Sequence, residues 1–255
     1  FRELSVLPLD ASLSRPLTSA LDMAGIKESC CIAVLVFSQS MSYEFLTRQI
    51  NLLFDSLEQI LAGILTDKKI GILCAVEAKD SLAAFLTAYI DSCCCPAAAS
   101  LTESIPVSHI ARQFRRAHEL LCLRLFHGYN MLFSEADAQG QQDFSPRLKH
   151  FMTCALENPS LISNQTQRLT FLREIRKLSL PALIRFYNYF NSLMEVAVSD
   201  NGWTDPGYAA PPLSDFASFK ELEEHLCRRL LAFADKKSAH PCHLSSMEMV
   251  KKYID

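Results

Sequence analysis

Residues 108–135 read SHIARQFRRAHELLCLRLFHGYNMLFSE, and the order of elements in this stretch decides the fold. Val107, Ile110, Ala111, Phe114, Ala117, Leu121 and Leu125 recur at helical spacing and fall on one face. Arg112, Arg115, Arg116, Glu119 and Arg124 occupy much of the remainder, so the pattern predicts one long amphipathic helix opened by Ser108. Gly128 stands where a C-terminal cap belongs, and Tyr129–Phe133 follows as a short apolar strand. A helix that returns as a strand needs a sheet partner, and the residues upstream supply several.

Cys30–Phe37, CCIAVLVF, is a continuous run of strand formers, too short for a helix, and reads as a buried central strand. Ser38–Ser42 turn into a helix expected over about Tyr43–Leu61, striped by Leu46, Ile50, Leu53, Phe54, Leu57, Ile60 and Leu61. Gly63–Leu65 and Ile70–Val76 flank Thr66-Asp67-Lys68-Lys69 as a hairpin with a polar turn. Asp80 is placed to cap a helix carrying Leu82, Phe85, Leu86, Tyr89 and Ile90, which Pro96 ends. Ala97–Ile105 reads as a further strand. The order is strand, helix, hairpin, helix, strand, helix, strand. It predicts an α+β fold: a ferredoxin-like, mixed but mainly antiparallel sheet with flanking helices. Ahead of it, Pro16, Leu17, Leu21 and Ala24 mark a short helix stopped by Gly25.

Ala136–Asp143 turns polar and reads as a boundary, beyond which the pattern is helical. One stripe is Phe144, Leu148, Phe151, Met152 and Ala155, and another includes Leu169, Leu172 and Ile175. Pro181 sits in a first turn followed by Leu183, Phe186, Phe190, Met194 and Ala197. Asp200–Leu213 reads as a long loop anchored by Trp203. A last helix is expected over about Asp215–Ala234 with Phe219, Leu222, Leu226, Leu230 and Phe233 inward.

The opening stretch resembles the end of the degenerate GGDEF-like region of large bacterial AraC-type transcriptional regulators. There a helix of the form Y-x-E-A-x-x-A-L-x-x-R-F-F-x-G precedes a final strand. Phe114, Arg116-Ala117, Leu120-Leu121, Arg124, Leu125-Phe126 and Gly128 carry the similarity, with Arg116 in place of the family's usual acidic residue. The closing SSMEMVKKYID is similar, through Met249-Val250 and Tyr253-Ile254, to the segment that opens the first helix of the DNA-binding domain in those regulators. The resemblance implies a helical lead-in over 1–28, a degenerate GGDEF-like α/β domain over 29–137 and a helical domain over 138–245. Residues 246–255 would then start a linker or the first helix of a DNA-binding domain outside this chain.

Composition bounds the chemistry. The chain has 255 residues, 49% hydrophobic and 21% charged, which is enough to fill a globular core. Seven glycines disfavour an all-β or glycine-loop enzyme, and a formal charge of −3 advertises no nucleic-acid surface. No apolar run reaches the ~18 residues of a membrane span. Phe1 opens the chain without a signal-peptide pattern, which reads as an excised fragment. Cys30, Cys31, Cys74 and Cys122 lie in apolar runs, where cysteine is a small hydrophobe. Cys93-Cys94-Cys95 are contiguous rather than spaced as C-x-x-C, a poor chelate, and His240-Pro-Cys242-His243 has no second pair nearby. Reduced thiols fit a cytoplasmic region.

A working cyclase of the resembled family would need carboxylates for divalent metal beside the first strand and glycines in the hairpin turn. Here Ser38-Gln39-Ser40 follow the first strand, and the turn offers one aspartate beside two lysines. No G-x-S-x-G, H-E-x-x-H or P-loop is present. His118 and Cys122 stand four apart on a helix, as a packed cysteine beside a rim histidine. Lys68-Lys69 and Arg115-Arg116 read as solvated charges. No catalytic residue, cofactor ligand or metal ligand is therefore expected, and the chain is expected not to be an enzyme.

The resemblance implies a homodimer that transmits signal in an AraC-type regulator. It would meet DNA only through a C-terminal domain outside the chain and take its input from an upstream receiver or membrane-sensor domain. The alternatives are a small-molecule sensor and, further off, a cyclase-like enzyme.

Overall fold

The computed structural model describes residues 15–140, 143–158, 160–201, 203 and 210–239. The chain divides between Gln139 and Gly140 into two compact units. The first holds α1 (Arg15–Met23), β1 (Ser29–Phe37), α2 (Tyr43–Ser56), β2 (Ile60–Thr66), β3 (Lys69–Ala75), α3 (Lys79–Ser92) and β4 (Ala97–Leu101). It continues with β5 (Ile105–Pro106), α4 (Ile110–Leu121), the single turn α5 (Arg124–His127) and β6 (Leu132–Phe133). Gly25, at φ +75°, ends α1 in a conformation that costs glycine little.

The strands form one sheet in the order β2-β3-β1-β4-β6, with β5 also on β1. Every pairing is antiparallel except β4 with β6. This is the β-α-β-β-α-β arrangement with one crossover strand added, an α+β fold. β1 is central, with Val34 opposite Gly71 of β3 and Ser100 of β4, and Cys30 through Phe37 are all buried. On one face Cys31, Ala33, Leu35 and Phe37 pack with Leu46 and Leu53 of α2 and with Leu82, Leu86 and Ile90 of α3. α4 packs on β1 and β4. Because alternate strand residues point to opposite faces, it covers Ile32, Val34 and Val36 on the other face. A strand roofed on both sides has no wet face, which is why β1 shows no alternation.

Several boundaries differ from the pattern-based expectation. α2 stops at Ser56, where Leu57 N–H donates to Leu53 O. Gln59 at φ +55° then redirects the chain, and Ile60-Leu61 open β2 instead of extending the stripe. Lys79 begins α3 and Asp80 lies in its first turn, while the N-cap is Ala78, and the helix ends at Ser92, before Pro96. Ala97–Ile105 is two strands joined at Thr102, which exchanges bonds with Ile32: Thr102 N–H to Ile32 O at 2.9 Å and Ile32 N–H to Thr102 Oγ1 at 3.0 Å.

The helix expected from Ser108 starts at Ile110 after a 3-10 turn and breaks at Cys122-Leu123. The break turns Arg124 inward to 2% exposure, its guanidinium 5.8 Å from the Tyr129 ring centroid, so Arg124 does not belong to the wet face. Gly128 closes α5, its N–H on Arg124 O at 2.7 Å. Gly128 at φ +80° and Asn130 at φ +69° keep the following residues in a turn and shorten the strand to Leu132-Phe133.

The second unit holds α6 (Pro146–Glu157), α7 (Ser160–Ser163), α8 (Gln165–Arg176), α9 (Leu180–Asp200) and α10 (Phe219–Ala239). Ser145 caps α6 with Pro146 in its first turn, and Asn164 caps α8. Phe186 is the hub of the core, its ring 5.5 Å from Phe144, 6.0 Å from Phe171 and 6.3 Å from Phe190. On α8 Ile175 of the expected stripe is buried and Leu172 partly so, while Leu169 is exposed and Phe171 takes the inward place. α10 begins at Phe219 rather than Asp215, with Ser218 Oγ accepting from Glu221 N–H. Trp203 lies 5.4 Å from the Phe233 ring. Among the described residues, no helix is long and apolar enough to cross a membrane. His240-Pro-Cys242-His243 and SSMEMVKKYID lie outside the described residues.

Candidate functional site

The end of β1 and the β2–β3 turn are where the resembled family would hold metal and triphosphate. The sequence folds them onto each other. Thr66 Oγ1 accepts from Lys68 N–H at 3.2 Å and tightens the turn. Phe37 N–H donates to Lys68 O at 2.9 Å and Met41 N–H to Asp67 O at 2.8 Å, while Ser38 N–H reaches Pro96 O at 2.9 Å. Ser42 Oγ caps α2 by accepting from Phe45 N–H. The amides of Phe37, Ser38, Met41 and Lys68 are thus bonded within the protein, and redirecting each toward phosphate forfeits a hydrogen bond worth about 1 kcal/mol. Asp67 is exposed, Lys68 stands beside it, and Lys69 is buried in β3 rather than solvated as its sequence neighbourhood suggested. Among the described residues, no three of His, Cys, Asp and Glu converge as a metal site.

A second feature lies along the polar side of α4, a cleft of about 670 Å³ lined by His109, Arg112, Gln113, Arg115, Arg116, Glu119, Glu135 and Ile105. Arg116 is its centre. Its Nε donates to both Glu135 oxygens at 3.1 and 3.0 Å, its Nη2 to Glu135 Oε2 at 2.7 Å and its Nη1 to Glu119 Oε2 at 2.9 Å. Hydrogen bonding to Glu135 raises the guanidinium pKa further, against the opposing effect of burial. Gln113 Nε2 donates to Glu103 O at 2.7 Å, and Glu103 in turn pairs with Lys79. Three arginines against two glutamates leave the cleft mildly cationic, with Arg112 and Arg115 exposed. Such a wall suits an anionic group held by charge and hydrogen bonds.

Arg116 is therefore a clamped residue, not the solvated charge its sequence neighbours suggest. Glu135 is nineteen positions away in sequence, and only the β4–α4–β6 crossover brings the two together. No local pattern announces them.

The histidine–cysteine step on α4 does not form a thiol–imidazole pair. Cys122 Sγ donates to the His118 carbonyl at 3.3 Å, and the His118 ring packs edge-on to Phe114. Cys31 and Cys74 face one another across β1 and β3, fully buried. Their shared hydrogen bond and burial push the Cys74 thiol up, and burial pushes Cys30 up to about 12. The same hydrogen bond pulls the Cys31 thiol down, against burial, but with all three side chains fully enclosed no reagent reaches them. Of the contiguous cysteines, Cys93 and Cys95 meet while Cys94 is exposed.

No protein-family model matches the chain, and no curated protein matches it significantly.

Proposed function

We propose that the sheet unit is a nucleotidyl-transferase-like scaffold kept for its shape. Together with the helical unit it would form the non-catalytic, dimerising and signal-transmitting region of an AraC-type transcriptional regulator. This region would be cytoplasmic, and DNA would be bound by a domain beyond Asp255. The observation that carries the reading is the closure of the β1 end onto the β2–β3 turn: one carboxylate, no turn glycine, and amides bonded to protein carbonyls. The element order and the residues from Phe114 to Gly128 support the same lineage.

Incubation of the chain with GTP and magnesium or manganese is expected to yield no cyclic dinucleotide, and turnover at a useful rate would overturn the non-catalytic part. A longer chain continuing past Asp255 should bind DNA as a dimer in a footprinting assay, and failure to bind would remove the regulatory part.

The α4 cleft favours a second reading, a sensor of a small anionic metabolite. A thermal-shift screen of nucleotides and organic acids separates the two: stabilisation lost in Arg112→Ala supports the sensor, and silence across the screen removes it.

A further inference from the structure

Cys93 is the C-cap residue of α3 in extended conformation, φ −67° and ψ 134°, and Cys95 leads through Pro96 into β4. The chain bends at Cys94-Cys95, and the Cys93 and Cys95 sulfurs stand 3.7 Å apart, in contact. A disulfide requires about 2.05 Å, so the two sulfurs must draw closer for the bond to form. Cys93 is half-exposed and Cys95 is 7% exposed, so one thiol meets solvent and the other waits behind it.

Tyr89, one helical turn back, places its hydroxyl 3.7 Å from Cys93 Sγ and donates to Gln49 Oε1 at 3.0 Å, which fixes the position of the pair relative to α2. No third ligand converges among the described residues, so the set falls short of a zinc site. Cys31 and Cys74, though opposed, lie beneath helices where no reagent reaches them.

We propose that Cys93 and Cys95 form a reversible dithiol–disulfide pair, oxidised by low-molecular-weight disulfides of the glutathione type. The Cys93 thiolate attacks one sulfur of the small disulfide. That S–S bond breaks, one small thiolate leaves, and a mixed disulfide forms on Cys93. Cys95, losing its proton to solvent, then attacks Cys93 Sγ and expels the second small thiolate as the Cys93–Cys95 bond closes. The protein gives up two electrons and two protons, and the small disulfide becomes two thiols. Cys93 meets solvent while Cys95 is enclosed, so Cys93 reacts first and Cys95 is the resolving thiol, and burial also pushes the Cys95 thiol up to about 12.

The test uses the whole chain carrying Cys94→Ser, equilibrated with mixtures of reduced and oxidised glutathione, acid-quenched, alkylated and digested. Mass spectrometry of peptide 80–112 should show both alkylation sites lost together with no glutathione attached. Adding Cys95→Ser should instead trap glutathione on Cys93, and adding Cys93→Ser should slow adduct formation by about tenfold or more. A Cys94→Ser peptide that stays doubly alkylated in the most oxidising mixture overturns the proposal. So does one that accumulates glutathione on Cys93 while Cys95 remains alkylatable, or a wild-type peptide whose bond joins Cys94 to a neighbour.

Discussion

In the sheet unit small and aliphatic residues, Cys31, Ala33, Ala97, Ala98 and Ala99 among them, surround the separate buried rings of Phe37, Phe114 and Phe133, whereas in the helical unit buried rings meet one another, Phe171 with Phe186 and Phe186 with Phe190. The difference follows from what fixes the register. Strands are aligned by their own hydrogen-bond ladder, so the side chains on the sheet need not set how neighbouring strands lie against each other. Helix axes stand about 8–10 Å apart with no ladder between them, so long side chains must bridge the gap and fix the register. Each unit also buries one arginine against a ring, Arg124 near Tyr129 and Arg229 over Phe190.

The hub ring is the strongest test of this contrast. Phe186→Ala removes a fully buried ring that meets Phe144, Phe171 and Phe190, and should cost about 3–5 kcal/mol. Trp203 is the only tryptophan in the chain and lies against Phe233, so its fluorescence in a urea titration reports on the second unit. Ile72→Ala in β3 should cost about 2–5 kcal/mol, read as lost amide-exchange protection along β1 and β3, because the ladder persists around the cavity. A loss at Ile72 exceeding that at Phe186 would break the claim that the cluster of rings is what holds the helical core.

The next effect is electrostatic and belongs to the sheet unit. Arg116→Met with Glu135→Gln in a double-mutant cycle should give a coupling of about 1 kcal/mol, since the pair is bidentate but only partly shielded from water. No measurable coupling would return Arg116 to the solvated face where its sequence neighbours suggest it belongs.

The smallest effect is a pH dependence in the helical unit. His225 is held below its usual pKa by burial and then by Arg229 and Arg228, with Glu221 opposing, and its Nε2 is buried without a hydrogen-bond partner among the described residues. As pH falls, the unfolded chain takes up the proton first. The stability is complete above about 6.5, the unfolded value, and is lost through the window between that value and the lower folded one. His225→Gln should flatten the urea midpoint measured by Trp203 across this window, and an unchanged slope would remove His225 as its source.

How much of this was legible depended on the range over which the information acts. The central strand was readable because Cys30–Phe37 is apolar without interruption, and only a strand covered on both faces tolerates that. The end of α2 was not, because Ile60 and Leu61 satisfy a helical stripe as well as they satisfy a strand. The left-handed turn at Gln59 and the pairing of β2 with β3 decide between the two. The stripe on α8 held at Ile175 but not at Leu169, because Leu169 and Phe171 are both apolar and the rings of Phe151 and Phe186 select Phe171. At the candidate sites, the lack of carboxylates beside β1 was visible in the residues themselves. The Arg116–Glu135 clamp was not, since it joins residues on either side of a crossover.

By itself the amino-acid sequence determined the α+β class, the order of the elements and the residue types around the first hairpin, one aspartate beside two lysines. Periodicity and residue type are local properties that survive without a fold. Tertiary structure alone decided where α4 breaks and which arginine goes inward. It also decided which carboxylates hold Arg116 and that Cys93 meets Cys95 while Cys94 stays exposed. Those outcomes depend on backbone turns and on contacts between residues distant in sequence, which exist only once the chain has closed on itself.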